Sequence, residues 1–130
     1  MPEWEYFSFE FNDDLPIYSQ IVHYLSRAFA KGDIPLGTRI PSIHKMSDIF
    51  KVHNNTMQRV YQEMERDGLI EGKRGIGYFF TCDETVLKKT KCYLLKESLR
   101  RFVCEMREIG LKNEDILGEL AVCMNEKGEY

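Results

Sequence analysis

Apolar residues recur at helical spacing in five separate stretches of this chain, and short polar or glycine-rich runs separate them. In the first, Ile17, Ile21, Leu25, Ala28 and Phe29 lie on one face of a helix. The preceding Asn12-Asp13-Asp14-Leu15-Pro16 reads as its start, with acids placed for the helix dipole and Pro16 suited to the first turn. Lys31-Gly32 supplies a cation and a C′ glycine to end it. Residues 33–41 hold two prolines and a glycine, which predicts a loop with at most a short strand at 38–40. Ser42 is a good N-cap for a short second helix with Ile43, Met46, Ile49 and Phe50 inward. The polar run Lys51-Val52-His53-Asn54-Asn55 breaks the period. A third helix is expected from about Asn55 to Asp67, with Met57, Val60, Tyr61 and Met64 inward and Gly68 closing it.

Strand signals follow. Leu69-Ile70 and Tyr78-Phe79-Phe80 are apolar and aromatic. Glu71-Gly72-Lys73-Arg74-Gly75-Ile76-Gly77 between them has three glycines and two adjacent cations, as a hairpin tip would. At the other end of the chain, residues 4–11 put Trp4, Tyr6, Ser8 and Glu10 on one side and Glu5, Phe7, Phe9 and Phe11 on the other, and their aromatic content suits an extended segment lying on the domain. Helix, strand, helix, helix and hairpin in this order describe a winged helix-turn-helix.

From Asp83 to Ile109 the helical pattern returns, with Leu87, Leu94, Leu95, Leu99, Phe102, Met106 and Ile109 at steps of mostly three, four and seven. Gly110 stops it. Asn113-Glu114-Asp115 is placed to cap a last helix carrying Ile116, Leu117, Leu120 and Met124. Two helices of this size cannot enclose a core of their own, so they are expected to pair with a second copy through Leu94, Leu95, Leu99, Phe102 and Met106. The fold class is mainly α with a small β-wing: an N-terminal winged helix-turn-helix over residues 1–80 and a two-helix C-terminal dimerisation tail over 81–130.

Composition narrows the function. With 43% hydrophobic and 30% charged residues over 130 positions, the chain can bury a core and is not disordered by composition. No apolar run approaches the roughly 20 residues of a membrane helix. The acidic N-terminus has no basic or apolar leader pattern, so a cytoplasmic protein is expected. Four cysteines at spacings of 10, 12 and 19 residues match neither a zinc-ligand set nor a C-x-x-C pair. They and His23, His44 and His53 form no spaced cluster, so no metal and no cofactor is expected. On one long helix Cys92 and Cys104 would stand roughly 18 Å apart, too far to bridge within a chain. No enzyme signature is present: Arg74-Gly75-Ile76-Gly77 opens no phosphate-binding helix, and Glu63 and Glu65 face different directions.

The net charge of −3 hides a gradient: residues 1–36 carry −4, residues 37–77 carry +2 and residues 78–130 carry −1. The helix-turn-helix and wing are thus the electropositive part. His53, Asn54, Asn55, Thr56, Gln58 and Arg59 open the third helix, where a recognition helix meets base edges. Asn and Gln pair bidentately with adenine, and Arg with guanine or phosphate. Lys73 and Arg74 on the glycine-rich tip suit phosphate or minor-groove contact. Taken singly, Asn54-Asn55-Thr56 is also ordinary capping chemistry and Lys73-Arg74 an ordinary solvated turn. Their order and spacing together point to DNA.

The stretches Pro16-Ile17-Tyr18 with Gln20-Ile21, Gly32-Asp33 with Gly37 to Ser42, Asn55 to Ile70, and Arg74 to Gly77 together resemble the GntR family of bacterial transcription regulators. The short two-helix tail resembles its YtrA-like branch. The resemblance is close over about residues 12–80 and rests on length and pattern in the tail. It implies a cytoplasmic, homodimeric and usually repressing regulator on a short palindromic double-stranded operator, in a branch that commonly controls transport operons; it names no effector ligand. Carried over, the family's DNA contacts fall on Arg39, Ser42, His44, His53, Asn54, Asn55, Thr56, Gln58, Arg59, Arg74 and Gly75. Two positions depart from the family. His44 stands where an arginine is usual, and Asn54 where proline or arginine is usual. A neutral histidine supplies no full charge, so binding is expected to be weaker or differently specified, and His44→Arg to tighten it. The rival class is a winged-helix scaffold for protein partners with weak or lost DNA binding, which the net charge and His44 favour.

Overall fold

The computed structural model describes residues 2–7 and 10–126. Its contacts divide the chain into two units, one up to Lys91 and one from Cys92 on, the division falling inside one long helix.

The first unit holds α1 (Ile17–Lys31), β1 (Arg39–Ile40), α2 (Ile43–Phe50), α3 (Asn54–Arg66), β2 (Ile70–Lys73) and β3 (Gly77–Phe80). Helix α3 packs on both α1 and α2. Each helix turns one apolar stripe inward: Ile21, Leu25 and Phe29 from α1, Met46 and Phe50 from α2, and Met57, Val60, Tyr61 and Met64 from α3 are buried. Burying each such side chain contributes about 1.5–3 kcal/mol relative to leaving it in water. The strands form an antiparallel sheet in the order β1-β3-β2. Phe80 closes the sheet onto the core, its ring 5.2 Å from that of Phe29.

Three local expectations are corrected. The segment expected to be extended over residues 4–11 begins otherwise: Trp4–Tyr6 forms a 3-10 turn, closed by the Phe7 amide donating to the Trp4 carbonyl at 3.0 Å. The turn lets Trp4 bury its ring against Phe7 and Phe80, a gain that alternation along a strand would not supply. Ser8 and Phe9 lie outside the described residues. Helix α1 begins after the acids, with Pro16 at the cap position and no acid in its first turn. The approach is held instead by Gln20, which accepts from the Asn12 amide and donates to the Asn12 and Leu15 carbonyls at 2.8–3.0 Å. Ile17, at the very start of the stripe, stays 43% exposed. Third, the strands reach further into the hairpin than expected, pairing Glu71 with Phe79, Gly72 with Tyr78 and Lys73 with Gly77. Backbone pairing does not need apolar side chains, so the polar strand positions carried no period to read.

Val86 and Leu87, in the opening turns of α4 (Glu84–Glu108), pack against the first unit's core, which carries that unit past residue 80. Asp83 starts this helix, its Oδ1 accepting from the Thr85 amide at 2.8 Å. The Thr85 side chain first, and then this amide, hold the Asp83 carboxyl below its ordinary pKa.

The second unit is the remainder of α4 and α5 (Asn113–Asn125). Gly110, at φ +91°, turns the chain, and the Leu111 amide donates to the Met106 carbonyl at 3.1 Å. Asn113 does not cap α5 as expected. It is the first helical residue and accepts from Arg107 Nη2 at 3.0 Å, while Asp115 Oδ2 accepts from the Lys112 amide at 3.1 Å. Ile116 is buried, whereas Leu117 and Met124 of the same predicted stripe are exposed.

Candidate nucleic-acid interface

Helices α2 and α3 are joined by Lys51, Val52 and His53. Ser42 caps α2 as expected, its Oγ accepting from the Lys45 amide at 3.2 Å. Lys51 ends α2 in the left-handed region, at φ 57°. His53 then caps α3: its Nδ1 accepts from the Asn55 amide at 3.0 Å. Ser42 and His53 therefore act in backbone geometry, and Ser42 Oγ retains a proton to donate.

Helix α3 is fixed from beneath by Tyr61, which is buried and donates from its hydroxyl to the Pro41 carbonyl at 2.6 Å. Burial pushes the phenol pKa far up, with the neighbouring Tyr78 adding to the rise. The same Tyr78 ring meets Tyr61 edge-on at 5.0 Å. At its far end α3 is tied to the wing by Glu65, whose Oε2 accepts from the Gly72 amide at 3.1 Å. A Cβ at residue 72 would stand 3.0 Å from that oxygen and 3.1 Å from Tyr78 Cε1, so the glycine lets the contact form.

The wing gathers cations on one aromatic ring. Arg39 of β1 lies 5.9 Å and Lys73 of β2 4.7 Å from the Phe79 ring centre. Arg39 Nη2 also donates to the Ile76 carbonyl at 2.6 Å, which joins the first strand to the tip. Arg74 and Gly75 form the exposed tip with Ile76, Gly75 at φ +78°.

The predicted DNA-facing residues thus fall into two groups. Asn55, Gln58 and Arg74 are exposed and carry no side-chain hydrogen bond or ion pair among the described residues. Most of the others are engaged within the chain. Thr56 is half-buried. His44 and Asn54 contact each other, Nδ1 to Nδ2, at 3.3 Å. Arg59 does not project freely: its guanidinium carbon lies 3.8 Å from the Tyr18 ring centre, and Nη2 donates to the Tyr18 hydroxyl at 3.1 Å. Tyr18 and Glu65 were missed as contributors. Tyr18 lies within the Pro16-Ile17-Tyr18 run but off the apolar face of α1, and Glu65 lies within the Asn55 to Ile70 run with nothing to mark its reach to the wing.

Of the tail residues expected at a dimer seam, Leu95 and Leu99 are 58% and 47% exposed in the single chain, and Leu94, Phe102 and Met106 are half-buried. Among the described residues no group of His, Cys, Asp and Glu could hold a metal ion, and no helix is long and apolar enough to cross a membrane.

Comparison with known proteins gives one consistent picture. The model of the bacterial regulatory proteins of the gntR family matches residues 17–80. The chain is 36% identical over 108 residues to the HTH-type transcriptional regulator YhcF of Bacillus subtilis, covering 83% of this chain and 89% of YhcF. It is 30% identical over 102 residues to the HTH-type transcriptional repressor YtrA of the same organism, covering 78% of each. Its fold matches a GntR family transcriptional regulator from Listeria monocytogenes with a TM-score of 0.80 and 30% identity, over 85% of this chain and 97% of that one.

Proposed function

The chain belongs to the gntR family of bacterial regulatory proteins, which are DNA-binding transcriptional regulators and not enzymes, and on that premise we propose that it is a repressor that binds a palindromic operator as a homodimer. The observation that carries this reading is the exposed start of α3 together with a wing that holds Arg39 and Lys73 on the Phe79 ring and Arg74 at its exposed tip. Asn54, Asn55 and Gln58 supply amides for base edges in the major groove, and Arg59 and the wing cations supply phosphate contacts. His44, Ser42, His53 and Thr56 complete the surface between them. The repressor role rests on the similarity to YtrA, and the dimer on the apolar face of α4 left open in the single chain. The YtrA-like tail points to transport genes as the target, and the work is done in the cytoplasm, where the operator is.

The test is fluorescence anisotropy on DNA from upstream of the chain's own operon, against scrambled DNA of equal length, at low and physiological salt. A preference for the native sequence that survives physiological salt is the expected result. Equal, weak binding to both that vanishes with salt is counterion release without recognition. It would turn the reading toward a protein-binding scaffold.

A further inference from the structure

His44, on α2, and Asn54, the first residue of α3, stand ten positions apart, and their side chains meet at 3.3 Å from Nδ1 to Nδ2. Both residues are exposed. In this arrangement the amide nitrogen of Asn54 donates and the imidazole Nδ1 accepts, which is the Nε2–H tautomer of His44. His53 cannot compete for this role, because its own Nδ1 already accepts from the Asn55 amide.

From this pair we infer that His44 and Asn54 form one base-reading unit, in which Asn54 reads a single adenine in each half-site and His44 holds its amide for that purpose. Resting on the operator-binding reading above, it adds which base is read and by what. An asparagine reads adenine with two atoms, its carbonyl oxygen accepting from N6 and one N–H donating to N7. The amide has two hydrogens. Spending one on His44 leaves the carbonyl oxygen and the other hydrogen for the base, and with His44 as the Nε2–H tautomer it sets which end of the amide is which. A free asparagine in water can present either order by turning its terminal torsion, and half of those orders put oxygen against N7. In its Nε2–H tautomer the histidine holds the amide in one of those orders before the DNA arrives. An arginine at position 44 could not do so, since a guanidinium has no acceptor. The residue that lacks the family's charge therefore supplies an acceptor, and the asparagine at 54 is what that acceptor engages. His44 is a positioning residue here, and Asn54 the one that touches the base.

The experiment is a binding-site selection on the full-length protein, followed by anisotropy on the selected operator and on each single base-pair change in it, for the wild type and four variants. Asn54→Ala should lose discrimination at one adenine-containing pair per half-site, on the order of tenfold or more, while other positions hold. His44→Ala should lose discrimination at the same pair. The double variant should be no worse there than Asn54→Ala alone, since coupled groups do not add. His44→Asn places an amide oxygen near the Nδ1 position and should restore the preference, which a merely structural or phosphate-binding role would not predict. Circular dichroism on each variant establishes that the surface changes leave the fold intact. Loss at different pairs, an even loss across all sequences on His44→Ala, or additive losses in the double variant would overturn the pair while leaving operator binding in place. A wild type that selects no sequence at all would overturn both.

Discussion

The guanidinium of Arg59 lies over the ring of Tyr18, carbon to ring centre 3.8 Å, although 41 residues separate the two. Helix α1 thereby supplies a seat for a cation of the recognition helix. A cation over an aromatic face is worth about 0.5–1 kcal/mol at an exposed site, and a seated side chain loses less freedom when it meets a phosphate. Tyr18→Ala should weaken operator binding by roughly two- to fivefold, the equivalent of that energy at room temperature. Tyr18→Phe keeps the ring and should lose less. Affinities of Tyr18→Ala, Arg59→Ala and the double variant form a cycle. If the single losses simply add, the seat does not matter to DNA binding.

Tyr61 is the buried strut under α3. Its hydroxyl donates to the Pro41 carbonyl at 2.6 Å, and Pro41 stands just before the cap of α2. One bond therefore sets α3 against the start of α2. Tyr61→Phe leaves that carbonyl without its donor and should cost about 1–3 kcal/mol of unfolding free energy. Urea denaturation measures it as a lower midpoint with an unchanged slope. No loss would mean that water reaches the carbonyl in the variant.

Lys51 carries the left-handed backbone that a helix-turn-helix needs between its two helices, with φ 57° and ψ 48°. A residue with a Cβ costs about 1–2 kcal/mol there relative to glycine, and glycine returns part of this through its greater freedom in the unfolded chain. Lys51→Gly should therefore raise stability by up to about 1 kcal/mol. Thermal unfolding should show a midpoint higher by a few degrees, and a fall would show that the lysine side chain compensates for its backbone.

These pairs also mark how far the sequence could be read. The faces built from Ile21, Leu25 and Phe29 and from Met57, Val60, Tyr61 and Met64 were legible because burial on a helix repeats every three to four residues. Ser42 as a cap was legible because capping is local. Arg59 on Tyr18, Arg39 on the Ile76 carbonyl and Glu65 on the Gly72 amide were not, since contacts across a fold leave no period in either partner. Asn54, Asn55, Gln58 and Arg74 could be proposed for DNA from residue type and order. Which of the proposed polar groups the fold had already engaged could be seen only in three dimensions. The aromatic content at Trp4 and Phe7 misled for a related reason: it marks side chains to be buried but not the backbone that buries them, here a short turn.

Asp83 gives the fold a specific acid response. The Thr85 side chain and then the Thr85 amide, at the start of α4, lower the pKa of its carboxyl in the folded chain. A lowered folded value means that the charged form adds stability above the unfolded carboxylate value, near 4. That contribution is lost as pH falls from there through the folded value. Asp83→Asn keeps an oxygen acceptor but no charge. It should be less stable than the wild type at neutral pH, and the two should converge as pH falls from about 4 through the lowered folded value. Denaturation midpoints across the acid range test this, and a difference that persists in strong acid would assign it to packing instead.

The apolar face of α4 sets the last expectation. Leu95 and Leu99 are 58% and 47% exposed in the single chain, at positions that share a helix face with the half-buried Phe102 and Met106. An apolar strip of this kind, with further exposed side chains at Leu117 and Met124 on α5, is what a second copy would cover. Leu99→Glu places a charge in that seam, where it would have to be buried without a partner. Sedimentation should then find monomers, while circular dichroism retains the helical signal. The monomer should hold a half-site but lose most of its affinity for the full palindrome, because the second contact is no longer tethered to the first. A dimer that survives Leu99→Glu would place the seam on another face.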